Sequence, residues 1–420
     1  MVGCQCQTHG VKKPFVCSRM HGGQPLCGST LAISAGSLYD APMTAIITQP
    51  DTIEKLTILS TDAQYDLACA CGSVKDEHRR RSADGKWIYP VTLPDGGRAS
   101  IFKILLSNVC RNDCKYCPLR HDQDIRRCTL QAEETVRLFW EYYTQGKVFG
   151  IFVSSGVVGT PDATMERINT IARILRARYR FRGYIHLKVI PGASPAAIEE
   201  AVRLASAVSL NIETPGAEFL AKVSQQKDYM RDIIEPIKQI SRLVQEPGSY
   251  RRHVHQTTQF VVGAAGETDR QIVKYMEGLY HRLRMHRIYF SAYQSGLGVP
   301  GLPGEQGDSP ADRLTREHRL YQVDFLMRKY GFHDGEILFD EQNRLPLDKD
   351  PKEAWALRHP ECFPVDVNKA DRETLLRVPG LGPLTVKSIL KRRQQTRLTA
   401  IEDIGKPGKL RNKARGYLTF

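Results

Sequence analysis

The chain has 420 residues, of which 41% are hydrophobic and 25% are charged. This composition is typical of a globular protein and excludes a wholly disordered chain, a collagen and a small disulfide-held scaffold. Lys and Arg number 60 against 46 Asp and Glu, which gives a formal net charge of +14. Such a surplus favours a polyanionic partner, although charge alone does not define a fold.

Residues 1–50 contain four of the eleven cysteines but no sustained helical or strand periodicity. We therefore predict a disordered extension, with Met43 as an alternative start. Because the chain has no apolar run near 18 residues and no signal-peptide pattern, we expect no contact with membranes and a cytoplasmic location, where thiols stay reduced.

Residues 51–98 are predicted to be a helical and loop segment that packs on the domain that follows. Its helix is capped at Asp51 or Thr52, runs over Thr52–Ile58 and continues loosely to Tyr65. A basic loop follows that contains Arg79, Arg80 and Arg81.

Between residues 99 and 294, short apolar runs alternate with helical patterns. The predicted strands are Ile101–Leu106, Val148–Ser154, Tyr184–Ile190, Ala207–Ile212, Gln259–Gly263 and Arg287–Ala292. The predicted helices cover about 130–145, 162–178, 195–205, 217–243 and 268–283. This alternation predicts an α/β fold with a parallel sheet whose strand C-termini share one edge. Six units are fewer than the eight of a closed barrel, so we expect a partial (β/α)6 barrel.

Three cysteines, Cys110, Cys114 and Cys117, follow the first of these strands with C-x3-C-x2-C spacing. So short a loop can place three thiolates around an iron–sulfur cluster, whose preferred ligands are soft sulfurs. No fourth cysteine follows at ferredoxin spacing, so one iron would be open to another ligand. A zinc site completed by a distant residue such as His121, and three inert buried thiols, are the alternatives.

This spacing, with Tyr116 before the third cysteine and a six-unit β/α series around it, resembles the radical SAM superfamily. The resemblance implies a [4Fe–4S] cluster on Cys110, Cys114 and Cys117. It also implies S-adenosylmethionine (SAM) on the open iron, and reductive cleavage of SAM to a 5′-deoxyadenosyl radical that abstracts hydrogen. An electron donor such as flavodoxin or ferredoxin is implied as well. Catalytic residues beyond the cluster are not identified.

The same resemblance assigns cofactor contacts to further strand ends. They are Tyr116 in the cysteine loop, Ser154, Ser155 and Gly156 after the second strand, Asn211 and Glu213 after the fourth, and Gly263 after the fifth. The superfamily often has Gly-Gly-Glu where this chain has Ser154-Ser155-Gly156, so only the backbone role carries over there. Alternation places Asn211 and Glu213 on one face. The alternative for each position is an ordinary strand cap.

The remaining cysteines give weaker signals. Cys69 and Cys71 form a C-x-C pair, whereas Cys128 and Cys362 are isolated. A second cluster is one interpretation of Cys69 and Cys71, but we expect buried small hydrophobic residues at all four positions.

Residues 295–364 are predicted to be a linker and an accessory helix. The Gly- and Pro-rich stretch Ser295–Pro310 is a linker or a loop that wraps the barrel, and the helix covers about 312–330. Residues 365–420 differ in composition, because they contain thirteen basic and five acidic residues. More than half of the net positive charge therefore lies in this segment, which predicts a separate module that binds a polyanion.

Within this module, a helical pattern ends at Pro379, Gly380, Leu381 and Gly382, and a second helix begins at Leu384. The pattern resembles the helix-hairpin-helix DNA-binding module, a small all-α domain. Two glycines permit a tight turn with exposed N–H groups, and the second helix directs its positive N-terminus at a phosphate.

Four basic residues of the second helix extend the predicted DNA-binding set: Lys387, Lys391, Arg392 and Arg393. Backbone contacts of this kind would carry no sequence preference. A degenerate second copy is predicted at Ile401–Leu418. An ordinary packing hairpin is the alternative.

Taken together, residues 52–420 resemble radical SAM proteins assigned to DNA modification or repair. We therefore expect a radical SAM enzyme that acts on DNA, and consider a DNA repair protein as a further partner. The alternatives are an RNA or tRNA modification enzyme, and a non-catalytic DNA-binding protein with a structural cluster.

Overall fold

The computed structural model describes residues 50–63, 87–92, 97–246 and 254–420. The predictions for residues 1–50, for the basic loop at Arg79–Arg81 and for Cys69 and Cys71 lie outside these ranges. Residues Pro50–Phe420 form one compact unit. No helix in the described ranges is both long enough and apolar enough to cross a membrane.

A curled seven-stranded sheet organises the chain, with the strands in sequence order. Its strands are β1 (Ile88–Thr92), β2 (Arg98–Leu105), β3 (Gly150–Ser154), β4 (Tyr184–Lys188), β5 (Ala207–Ser209), β6 (His255–Val262) and β7 (Arg287–Ala292). β1 is antiparallel to β2, and β2 to β7 are parallel. The α/β class and the partial barrel are confirmed.

Helices connect the parallel strands. They are α1 (Thr52–Asp62), α2 (Ala132–Thr144), α3 (Pro161–Ala177), α4 (Pro195–Leu204), α5 (Ala217–Val223), a π-helical turn (Tyr229–Ile234), α6 (Glu235–Gln245) and α7 (Asp269–His281). Successive helices pack on one another, α2 on α3, α3 on α4 and α4 on α6. The predicted cap of α1 is Asp51, whose carboxylate accepts from the Glu54 N–H.

Two elements differ from the sequence prediction. β1 was not predicted, because its Pro90 and its short apolar content give little strand signal. The helix predicted over 217–243 is broken by the polar stretch 224–228, which separates α5 from the π-helical turn and α6. This break matters for the site, because it contains Lys227.

A continuous apolar core lies between the sheet and its helices. Phe102, Ile151, Leu187 and Phe260 from the sheet are fully buried, as is Phe139 from α2. At roughly 25 cal/mol per Å² of buried apolar surface, this core is the main stabilising contribution to the sheet.

Residues 295–309, which we call the wrapping segment, contact the cysteine loop. The Val299 N–H donates to Lys115 O at 2.9 Å, and the Arg120 guanidinium donates to Leu297 O at 3.3 Å. The wrapping segment therefore holds the cysteine loop from outside. Helices α8 (Pro310–Tyr330) and α9 (Pro351–Arg358) follow.

The C-terminal segment has its own small apolar core, which includes Leu375, Val386 and Ile404. Its elements are β8 (Val365–Asp366), α10 (Arg372–Arg377), α11 (Pro383–Arg392), α12 (Lys409–Arg415) and β9 (Leu418–Thr419). Where the second copy was predicted, a single 3-10 turn at Ile401–Ile404 precedes α12.

Ion pairs and a buried lysine attach the C-terminal helices to the rest of the chain. The Lys413 ammonium bridges Asp350 and Glu353 at 2.8 and 2.6 Å, and the Lys352 ammonium donates to Leu381 O at 2.6 Å. The C-terminal helices are therefore fixed against α9.

Candidate active site

A cavity of about 200 Å³ lies at the C-terminal ends of the parallel strands. Its lining includes Cys110, Cys114 and Cys117 from the loop after β2. Residues from the ends of β3, β4, β5 and β7 complete the wall. This is the edge at which parallel α/β sheets place their ligands.

The cysteine loop is held by the polar stretch that breaks the predicted helix. The Asp113 carboxylate accepts from the Ser224 hydroxyl at 2.6 Å and from the Gln225 N–H at 2.8 Å. The Lys115 N–H donates to Val223 O at 2.8 Å. The loop and this stretch therefore form one rigid wall of the cavity.

Arg127 holds the other end of the cysteine loop. Its guanidinium donates to Leu119 O at 2.8 Å, to Arg120 O at 2.7 Å and to Gln123 O at 2.9 Å. It also donates to Asn108 O. Because a planar guanidinium has five fixed donors, it can satisfy several loop carbonyls that no helix or strand pairs.

Gly156 brings the end of β3 directly against the cysteine loop. A Cβ at this position would lie 2.4 Å from Val109 O and 3.1 Å from the Cys110 Cβ. The Gly156 N–H donates to Ser107 O at 2.7 Å, and the next N–H, of Val157, points at the Cys110 sulfur at 3.4 Å. The close approach explains why this position has no side chain.

Ser154 and Ser155 take different positions at the end of β3. The Ser154 side chain is 2% exposed and lines the cavity, and within the described residues its hydroxyl has no hydrogen-bond partner. The Ser155 hydroxyl also lines the cavity but donates to Gly156 O at 2.7 Å. An orphaned buried hydroxyl is costly, so Ser154 is suited to a ligand that supplies its partner.

Asn211 and Glu213 both line the cavity, as the alternation predicted, and the Asn211 amide lies 3.5 Å from a Glu213 carboxylate oxygen. Glu213 is buried and has φ +65°, a left-handed backbone that a non-glycine residue rarely adopts. Such strain persists where surrounding structure imposes it, and it clusters at functional sites.

Lys227 is the site residue that the sequence did not indicate. Its buried ammonium lies 3.5 Å from the Glu213 carboxylate and interacts with the Cys114 thiol. Burial alone would lower the pKa of Lys227, but its interactions with Cys114 and Glu213 outweigh burial and raise the pKa. The cavity therefore holds a fixed positive charge beside the cysteine loop.

Tyr116 lies half-buried in the cavity wall. Burial, followed by the nearby Glu213 carboxylate, raises the pKa of the Tyr116 hydroxyl well above its ordinary value. The hydroxyl is therefore a neutral hydrogen-bond donor facing the acidic side of the site.

Two of the three thiols hold their protons more tightly than a free cysteine does. Burial raises the pKa of Cys114, and burial together with Cys114 raises the pKa of Cys117 to about 12. Iron binding therefore has to displace thiol protons.

Within the described ranges, no three His, Cys, Asp or Glu side chains are close enough to share one metal ion. In a four-iron cluster each thiolate binds a different iron, so its ligands need not meet at one point.

Several predicted residues lie outside the cavity wall. Gly263 has φ +87° in the turn after β6, and its N–H donates to the buried Glu267 carboxylate. His121 is exposed, and its ring contacts Asn112 O. Cys128 is buried as predicted, whereas the prediction for Cys362 is wrong because that side chain is exposed.

The predicted DNA-binding residues divide into two groups. Pro379 and Leu381 are buried, and the Arg393 guanidinium donates to Val367 O and Ala370 O. The exposed members are Lys387, Lys391 and Arg392, although Arg392 also reaches Asp403 O. The two turn glycines differ in backbone conformation. Gly380 has a positive φ of +86°, whereas Gly382 has φ −107°.

Comparison with family models identifies the barrel. Residues 104–279 match the model of the Radical SAM superfamily. Residues 104–279 form a radical SAM domain. The chain thus carries the catalytic domain of a radical SAM enzyme, and the cofactors of this superfamily are a [4Fe–4S] cluster and SAM. No curated protein matches the chain.

Solved structures resemble part of the chain at low identity. They include the FeFe-hydrogenase maturase HydG from Carboxydothermus hydrogenoformans (15% identity, TM-score 0.42, 54% of this chain and 51% of that one). Methylornithine synthase PylB follows at 14% identity and TM-score 0.41, covering 53% of this chain and 62% of the other. SuiB from Streptococcus suis has 14% identity and a TM-score of 0.40, and the match covers 54% of this chain and 47% of SuiB. The chain spans about half the length of HydG and SuiB and 62% of the length of PylB.

The described residues fit the superfamily's cofactors. Cys110, Cys114 and Cys117 supply a thiolate donor set suited to iron. The unpartnered Ser154 hydroxyl and the Lys227 ammonium supply polar contacts for a bound ligand beside that set.

Proposed function

We propose that this radical SAM enzyme modifies or repairs DNA, and that its C-terminal helices hold the DNA backbone. The observation that supports the catalytic part is the convergence of Cys110, Cys114, Cys117, Ser154 and Lys227 on one cavity. When bound, the cluster and SAM supply a radical that abstracts a hydrogen atom from a substrate.

The chain's own residues bind and orient the cofactors in this proposal. The three cysteines hold the cluster, and the Lys227 ammonium attracts the carboxylate group of SAM. Ser154 and Glu213 provide a hydroxyl donor and a carboxylate acceptor for its polar groups. The wall made by Tyr116 and the wrapping segment restricts the access of water.

The DNA-binding part is supported by charge and shape at α11. The turn Pro379–Gly382 leads into the N-terminus of α11, and Lys387 and Lys391 are exposed farther along that helix. Leu384, in the first turn of that helix, is 85% exposed. An exposed apolar side chain beside exposed cations suits a DNA groove with its flanking phosphates. An electron donor such as flavodoxin or ferredoxin, and a DNA repair protein, are partners within this proposal.

The test separates the three functions that the sequence left open. Anaerobically reconstituted protein is reduced with dithionite, and 5′-deoxyadenosine is quantified. Duplex DNA and tRNA then compete for binding in fluorescence anisotropy. We expect SAM cleavage and a preference for DNA. A preference for tRNA would favour RNA modification, and the absence of SAM cleavage would favour a structural cluster.

The C-terminal module is tested with a double variant, Lys387→Ala with Lys391→Ala. The control variant is Lys369→Ala, because Lys369 lies on the same module but pairs with Asp366. The first should weaken duplex binding and lower its salt dependence by about two in slope, because each phosphate contact contributes about 0.9. The second should leave both unchanged. Equal binding by all three proteins would exclude α11 as the DNA contact.

A further inference from the structure

A second cavity of about 510 Å³ lies inside the barrel, at the N-terminal half of the strands. We name it the lower chamber. Lys188, Asn211 and Gln259 line both this chamber and the cysteine-lined cavity. The two spaces therefore meet at a layer of three polar side chains in the middle of the barrel.

Aromatic rings dominate the lower chamber. The Phe149 and Tyr184 ring centroids are 5.7 Å apart, and those of Phe152 and His186 are 4.5 Å apart. The Arg287 guanidinium lies 4.9 Å from the Tyr289 ring. None of the described residues that line the chamber is acidic. Rings and a guanidinium plane in a concave, non-acidic site are the features that bind an unstacked nucleobase.

Arginines surround the N-terminal ends of the strands, where this chamber lies. These exposed residues, which we call the arginine rim, are Arg98, Arg178, Arg180, Arg182, Arg282 and Arg284. Arg98 begins β2, and the other five occupy the turns before β4 and β7. Those two turns, residues 178–183 and 282–286, contain no acidic residue.

Two arginines of the rim occupy positions that normally belong to glycine. Arg180 has φ +50° and Arg284 has φ +48°. In both turns the N–H of the residue after the arginine donates to a carbonyl in the last turns of the helix. Phe181 N–H donates to Leu175 O at 2.9 Å, and Met285 N–H donates to Leu279 O at 3.1 Å. A left-handed residue at a helix end is usually glycine, because a side chain there costs about 1 kcal/mol or more.

The end of α8 gives an internal comparison. There the Phe332 N–H closes the helix onto Leu326 O at 3.2 Å, and the left-handed residue is Gly331 with φ +74°. Gly331 therefore takes the left-handed position after α8, and Gly146 takes it after α2, with φ +69°, in the turn before β3. The turns before β4 and β7 instead carry arginine at this position, at a cost in backbone strain, and both side chains are exposed there.

We propose that the N-terminal mouth of the barrel binds single-stranded nucleic acid, with phosphates on the arginine rim and one nucleobase in the lower chamber. The proposal rests on the proposed function, because it names the substrate class of that enzyme as an unpaired nucleotide. It assigns substrate entry to the end of the barrel opposite the cysteine loop. The base then meets the cofactor cavity at Lys188, Asn211 and Gln259, which line both spaces.

The experiment compares two double variants, Arg180→Gly with Arg284→Gly and Arg180→Lys with Arg284→Lys. Glycine removes the charge and relieves the strain, whereas lysine keeps the charge and the strain. Affinity for a labelled single-stranded oligodeoxythymidylate is measured by anisotropy over a salt series. The glycine variant should bind roughly tenfold more weakly at 0.1 M salt, with a slope lower by about 1.4, because each single-strand phosphate contributes about 0.7. The lysine variant should bind like the unaltered chain.

The unfolding midpoint provides the control for folding. The glycine variant should unfold at the same temperature as the unaltered chain or at a higher one, because a strained position is relieved. If its midpoint falls, asparagine, which tolerates the left-handed region, replaces glycine in the comparison. Unchanged affinity in the glycine or asparagine variant would refute the proposal, and so would equal losses in that variant and the lysine variant.

An abasic oligonucleotide of the same length tests the chamber separately from the rim. We expect it to bind roughly tenfold more weakly than the thymidylate, the effect of losing one base–aromatic stack. In Phe152→Leu this difference should shrink. If the abasic strand binds equally well, no base enters the chamber.

The outcome distinguishes this proposal from the proposed function. Loss of duplex binding in the Lys387→Ala and Lys391→Ala variant, with no effect at the rim, would leave the DNA enzyme standing and refute entry at the mouth. Failure of the unaltered chain to bind either duplex or single strand would refute both.

Discussion

Lys227 links two features of the site that are far apart in the sequence. Its ammonium lies between the Cys114 thiol and the Glu213 carboxylate, in a cavity where both are buried. No motif contains it, because its position follows from the break between α5 and the π-helical turn. A charge placed in this way can hold an anionic ligand beside the cysteine loop without touching the iron.

Replacing Lys227 with Met should weaken SAM binding while the cluster remains. A charge-assisted hydrogen bond contributes roughly 1.5–3 kcal/mol, so the dissociation constant for SAM should rise by about tenfold or more. Lys227→Arg should retain part of the affinity. Equilibrium dialysis of SAM and iron analysis are the measurements. Unchanged SAM affinity in Lys227→Met would show that the lysine only packs the loop.

Lys352 gives a prediction for pH. Burial lowers its pKa from 10.5 to about 7, and its side chain is 7% exposed beneath the hairpin turn. Between pH 7 and pH 10.5 the unfolded chain binds more protons at this residue than the folded chain does, so stability rises with pH across that window. Below pH 7 both states are protonated and the cost of burial is constant.

The matched variant is Lys352→Met. The free energy of unfolding of the unaltered chain, relative to this variant, should rise by up to about 1.4 kcal/mol per pH unit between pH 7 and pH 10. Urea denaturation of both proteins at several pH values measures the difference. Parallel curves would mean that Lys352 is accessible to water in the folded protein.

Among the secondary-structure elements, the six parallel strands could be predicted because each is a short apolar run between helical patterns. The edge strand β1 could not, since Pro90 interrupts the short run Ile88–Thr92 and pairing with β2 determines its conformation. The helix break at 224–228 was missed because helical periodicity resumes after it. What fixes the break is tertiary: Asp113 accepts from Ser224 and Gln225 across the chain.

The hairpin between α10 and α11 shows that two glycines in one motif have different roles. A Cβ on Gly380 would lie 2.1 Å from Leu410 O, and its φ is +86°. At Gly382 the nearest atom would be the Tyr330 hydroxyl at 3.5 Å, and φ is ordinary. The sequence prediction treated the pair as equivalent, because a contact with α12 cannot be recognised from the motif.

Gly380→Ala should therefore destabilise the chain by more than about 1–2 kcal/mol, the cost of the left-handed backbone alone, because the clash with Leu410 adds to it. Gly382→Ala should change the free energy of unfolding by less than about 1 kcal/mol. Denaturation monitored by circular dichroism compares the two variants. Equal losses of stability in the two variants would show that α12 does not pack closely against Gly380.

For the whole molecule, the candidate site was largely predictable where a motif or a strand end defined it. Cys110, Cys114, Cys117, Tyr116, Ser154, Asn211 and Glu213 all line one cavity. Gly263 does not, because Glu267 and Arg316 occupy the space around its turn. The arginine rim was not predicted, since its members are scattered through the sequence and only the sheet brings their turns to one end.

The cysteine loop is the part of the molecule on which the radical SAM assignment depends, because it supplies the three thiolates for the cluster. The most direct measurement is iron content and 5′-deoxyadenosine formation in Cys114→Ala, with Cys128→Ala as the control, since Cys128 is also buried but lies outside the cavity wall. Cys114→Ala should lose both the visible absorbance and the nucleoside, whereas Cys128→Ala should keep both. Continued SAM cleavage by Cys114→Ala would show that the cysteine loop does not hold the catalytic cluster.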